Sequence, residues 1–79
     1  MTPTKFNYDG KEYNLPPSVR IATSELRINE ERLNIAAYEN MLLSESDEDV
    51  RFIIYEKIYG CVVRASMEKA GIEELKKHI

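Results

Sequence analysis

Cysteine occurs once in the 79 residues, at Cys61, and histidine once, at His78. A single cysteine excludes a disulfide within the chain, and the pair offers none of the Cys/His spacings that hold zinc. Cys61 lies in the apolar run Gly60-Cys61-Val62-Val63 and is expected to behave as a small hydrophobe, not a reactive thiol. A domain of this length buries only about 60% of its unfolded surface and usually needs a staple. With disulfides and metal set aside, oligomerisation is the staple that remains.

Glycine is also scarce. Gly10, Gly60 and Gly71 stand alone, so no glycine-rich phosphate loop is present. There is no run of about 18 apolar residues to span a bilayer, and the first residues lack an apolar signal region. A cytoplasmic protein is expected, in keeping with one free cysteine. Catalytic constellations are missing too: Cys61 has no histidine placed to activate it, and Glu30-Glu31 on a helix point about 100° apart. The expectation is a protein that is not an enzyme and carries no cofactor.

The formal net charge is −3, which disfavours a nucleic-acid backbone as partner. Charge is unevenly spread. Residues 21–49 carry eight acids against Arg27 and Arg32, whereas residues 50–79 carry six basic residues against four acids. Antiparallel segments of opposite bias would attract one another or a second copy.

What is present begins with Lys5-Phe6-Asn7-Tyr8-Asp9-Gly10-Lys11-Glu12-Tyr13-Asn14-Leu15. Asp-Gly between alternating segments signals a two-residue type I′ hairpin, because both turn residues need positive φ. A hairpin over 4–15 pairs Tyr8 with Lys11, Phe6 with Tyr13 and Thr4 with Leu15. Its apolar face is then Phe6, Tyr8, Tyr13 and Leu15. A two-stranded ribbon is not stable alone, so that face must rest on a helix or another chain. Residues 1–4 are expected to form a loose tail.

Pro16-Pro17 ends the ribbon and suits a helix start. A first helix is predicted over 18–43. Two seven-residue series, Ile21/Ile28/Ile35/Leu42 and Leu26/Leu33, form one wide apolar stripe that also holds Asn29 and Asn40. Ser46 or Asp47 would cap a second helix over 48–70, with Glu48 and Asp49 at its positive end. The same acidic stretch lacks the central glycine and the twelfth-position acid of a calcium loop. Gly71 is a natural stop, and a short terminal helix over 72–79 is expected beyond it, with Ile72, Leu75 and Ile79 on one side. The fold class is α+β, mostly α, in one domain: hairpin, two long antiparallel helices and a short terminal helix.

The second helix has two apolar faces. One is Val50, Ile54, Ile58, Cys61, Val62 and Ala65; the other, on the opposite side, is Phe52, Tyr55, Tyr59, Val63, Met67 and Ala70. Tyrosine and methionine favour interfaces. The second face is either an intermolecular contact or the seat of the hairpin's Phe6, Tyr8 and Tyr13. Basic residues provide a further candidate: Lys57 and Arg64 share a stripe with Arg51 nearby, and with Arg20 they could clamp an anion such as a phosphate or nucleotide; the alternative is a solvated stripe or one paired with acids of the first helix.

The pattern Phe6-x-Tyr8-Asp9-Gly10-Lys11-x-Tyr13-x-Leu15-Pro16 resembles the hairpin that opens some tail assembly chaperones of long-tailed phages. That resemblance spans about 11 residues and implies a small, acidic, helix-rich protein that self-associates and holds a tape measure protein during tail building. It implies no catalytic residue. Two other expectations compete with it: a phage or mobile-element inhibitor (an anti-defence protein) that blocks a host protein, and an oligomer that sequesters an anionic small ligand.

Overall fold

The computed structural model describes residues 4–77, apart from the side chains of Thr4 and Phe6. Four elements follow in order: β1 (Thr4–Tyr8), β2 (Lys11–Leu15), α1 (Pro17–Ser44) and α2 (Glu48–Lys76). The expected loose tail at residues 1–3 lies outside the described residues; Thr4 already belongs to β1.

The hairpin has the register that the alternation dictates, with Thr4 opposite Leu15, Phe6 opposite Tyr13 and Tyr8 opposite Lys11. Asp9 and Gly10 have φ of 52° and 77°, so both turn residues occupy the left-handed region that a type I′ turn demands.

Pro17 opens α1, where its missing N–H costs nothing. Asp47 caps α2 by accepting the Asp49 and Val50 N–H groups at 2.9 and 3.3 Å. The N–H of Asp47 is itself held by the Glu45 carboxylate at 3.0 Å. Between the helices, Arg51 Nη1 donates to the carbonyls of Leu42 and Glu45 at 2.8 and 2.7 Å. These are carbonyls that the end of a helix leaves without partners, so one side chain of α2 closes the C-terminus of α1 and pins the turn.

The helices pack antiparallel along one narrow seam. On α1 it is built from Ile21, Ser24, Ile28, Glu31, Ile35, Tyr38 and Leu42; on α2 from Arg51, Ile54, Ile58, Cys61, Ala65, Glu68, Ile72 and Leu75. Both series alternate steps of three and four, the spacing of a coiled-coil seam. The wide inward stripe expected on α1 is therefore split. Its isoleucine series faces α2, whereas Leu26 and Leu33 point away and are 64% and 72% exposed. Asn29 and Asn40 go outward with the leucines and are exposed.

The expected stop at Gly71 is overruled, and no separate terminal helix forms: α2 runs unbroken to Lys76. A mid-helix glycine costs about 1 kcal/mol relative to alanine. Continuing the helix buries Ile72 and Leu75 at the far end of the seam, and two buried aliphatic side chains are worth about 3 kcal/mol or more. Ile79, expected on the same side, lies outside the described residues.

The outcome is a slab of 51 × 31 × 14 Å with a radius of gyration of 17.0 Å. A compact chain of this length has a radius of gyration near 12 Å by the usual scaling. Among the described residues only Ile54, Cys61, Ile72 and Leu75 are buried hydrophobics.

Candidate interaction surfaces

The second face of α2 is open to solvent. Phe52, Tyr55, Tyr59, Val63 and Met67 are all exposed, as are Tyr8 and Tyr13 on the ribbon. The intramolecular alternative, in which the hairpin covers this face, does not describe the single chain. Instead Leu15 borders a cleft at the other edge of the bundle, with Arg20, Thr23, Ser24, Arg27, Gly71 and Leu75.

On α1 a second apolar stripe points away from the seam. It comprises Val19, Leu26 and Leu33, with Leu43 near the turn, every one exposed. Sequence reasoning placed Leu26 and Leu33 inward and so missed this surface. The signal that separates them is the phase of the three-four spacing through Ile21, Ser24, Ile28, Glu31, Ile35, Tyr38 and Leu42, which leaves Leu26 and Leu33 on the far side.

The basic candidates are dispersed. Arg64 grips Glu31 with two parallel hydrogen bonds, Nε to Oε1 at 3.1 Å and Nη2 to Oε2 at 3.2 Å. Arg51 is occupied at the turn and lies 5.9 Å from the Tyr55 ring centroid. Arg20 borders the cleft with Gly71 and Leu75. From Lys57 to that level of α2 is about 20 Å at 1.5 Å rise per residue. The three residues Arg20, Lys57 and Arg64 thus do not converge on one anion.

Pairing of the basic stripe with acids of the first helix describes Arg64, and it gathers a polar cluster around the buried thiol. Cys61 is 1% exposed, and Arg64 Nη2 lies 3.5 Å from its sulfur. Gly60 makes this possible: a Cβ there would sit 3.3 Å from Arg64 Nη1, so the bare backbone lets the guanidinium lie across the helix toward Glu31. The hydrogen bond from Arg64, with a weaker one involving Cys61, holds the Glu31 carboxyl below the usual carboxylate range. Burial first, then the nearby Glu31, pushes the Cys61 thiol up. A thiol held protonated is a poor nucleophile; the Arg64–Glu31 pair of the cluster joins the two helices. A second ion pair, Arg27 to Glu68 at 3.2 Å, ties the helices one turn further from the loop.

Among the described residues there is no group of three or more histidine, cysteine or acidic side chains placed to hold a metal. No described helix is long and apolar enough to cross a membrane. No family model, curated protein or solved structure matches the chain.

Proposed function

We propose that this chain is a non-catalytic protein-binding and assembly module, of the tail-assembly-chaperone kind, that acts as a homo-oligomer. The observation that carries the reading is the exposure of large apolar side chains on the outer sides of both helices at once: Leu26, Leu33 and Leu43 on α1, and Phe52, Tyr59 and Met67 on α2. Contiguous apolar surface on a small protein marks a place where another protein binds. Two separate surfaces allow two kinds of partner, self and client.

The hairpin resemblance supplies the specific client class, a long helical tape measure protein. An outward leucine stripe on α1 is the kind of surface that accepts an amphipathic helix of a client. The test is co-expression with the products of the neighbouring genes. A client complex that co-purifies and is lost in Leu33→Glu, with helicity retained, supports the reading. If wild type and Leu33→Glu retain the same client equally, α1 is not the client surface.

A further inference from the structure

The outer stripe of α2 is divided between large rings at one end and smaller or flexible side chains at the other. Its residues, Phe52, Tyr55, Tyr59, Val63, Met67 and Ala70, are separated by steps of three, four, four, four and three. Glu56 and Ser66 share this face; as on any helical face, the spacing is symmetric about its midpoint, here position 61. The stripe is centred opposite Cys61, which faces α1 and is buried. An antiparallel copy of α2 related by a two-fold axis at that midpoint would lay the stripe on itself in register.

The side chains are not palindromic, and this favours the pairing. Phe52, Tyr55 and Tyr59 fill one half; Val63, Met67 and Ala70 fill the other. The two-fold axis brings Phe52 to Ala70, Tyr55 to Met67 and Tyr59 to Val63, an aromatic ring to a smaller or flexible side chain each time. At about 100° per residue, Phe52 and Ala70 both lie on the centre line of the stripe and meet head on, where a ring over a methyl fits. Tyr55 and Met67 lie on opposite flanks and pack side by side, in the manner of knobs entering holes. A parallel copy would set Phe52 on Phe52 and leave the alanine ends facing across a gap.

Surface area points to the same occupant. The chain exposes 6312 Å² at a mass of 9.2 kDa, against about 4,900 Å² for a compact monomer of that mass. The surplus of roughly 1,400 Å², spread over the ribbon and the outer sides of both helices, leaves room for one partner's share of an obligate homodimer interface, about 1,000–2,500 Å² on each side. Glu48 and Asp49 lie on the same side of α2 just beyond the stripe, and the two-fold sets them against the Glu74 and Glu73 positions of the copy, a like-charge contact at each end that salt weakens.

We propose that α2 forms an isologous antiparallel homodimer about position 61, leaving the Leu26 and Leu33 side of α1 free for a client. This rests on the self-association reading above and gives it a register. The test uses the full chain in a Cys61→Ala background, with Phe52→Cys and Ala70→Cys proteins carrying distinguishable tags. They are mixed, allowed to exchange and treated with a short bis-maleimide. Tyr55→Cys with Met67→Cys is a second pair, should either of the first fail to fold. Within a dimer the effective concentration of the paired thiols is about millimolar. The expected result is mixed crosslinks (52 to 70, 55 to 67) exceeding each same-residue crosslink by about tenfold or more. Predominant 52-to-52 crosslinks, or a dimer by sedimentation with no mixed product, would overturn the register and leave self-association standing. A monomer at tens of micromolar, with the client complex intact, would overturn self-association as well.

Discussion

Glu31 and Arg64 show how one residue pair sets the behaviour of the seam. Glu31 occupies an inward position where an aliphatic residue would otherwise sit, and its side chain is 16% exposed. It is tolerated because the guanidinium satisfies both of its oxygens. The Glu31 carboxyl is held below its ordinary value of 4.5 by that pairing. A carboxylate whose pKa is depressed on folding adds stability that is present above the unfolded pKa and lost as pH falls through the folded one. Wild type should therefore lose stability as pH drops below about 4.5. Glu31→Gln should be less stable near neutral pH and show a shallower acid dependence in denaturant melts. An unchanged acid limb would mean that the pair carries no linkage. The residue scale was only partly legible beforehand. Cys61 was identified as a buried position from its apolar neighbours. The partner of Arg64 was not, because Glu31 and Arg64 are 33 residues apart and only the inter-helix register brings them together.

Helices and strands were legible where the signal is local. Asp9-Gly10 alone specifies the turn, and the alternation on either side then specifies the register. Asp47 is a cap by virtue of side-chain chemistry and position. What was not legible depends on contact between elements. A helical wheel shows that Ile28 and Leu33 are both apolar, but not which one has a partner. Gly71 illustrates the same limit: a residue that ends helices in isolation is carried through by the burial of Ile72 and Leu75 beyond it. A Cβ on Gly71 would meet no atom within 4 Å, and the position is exposed and helical. Gly71→Ala should accordingly raise stability by about 0.5–1 kcal/mol, readable as a shift of the denaturation midpoint without a change in slope. A destabilised variant would show that the backbone bends or opens at Gly71 in solution.

At the scale of the whole molecule, the chain has the secondary structure of a folded domain and the surface of part of one. Two helices share one seam, the slab is 14 Å thick, and apolar side chains line the outer sides of both helices. Charge along the chain suits the intramolecular pairing of α1 with α2, but exposed pairs such as Lys77–Glu74 contribute little. The apolar stripes are the larger effect. Covering a half-exposed aromatic or aliphatic side chain is worth about 1 kcal/mol at 25 cal/mol per Å², and five such residues per chain, Phe52, Tyr55, Tyr59, Val63 and Met67, line the outer face of α2.

If assembly supplies that stability, folding and association are linked, and the melting temperature must depend on protein concentration. The direct measurement is thermal unfolding by circular dichroism across a hundredfold range of protein concentration, about 1 to 100 μM, chosen to bracket micromolar affinities. The account predicts a melting temperature that climbs steadily with concentration, with Tyr59→Glu flattening the dependence. A sharp transition at one temperature throughout the range would mean that the two-helix slab is stable by itself, and would contradict the claim that the outer face of α2 is built for a second copy.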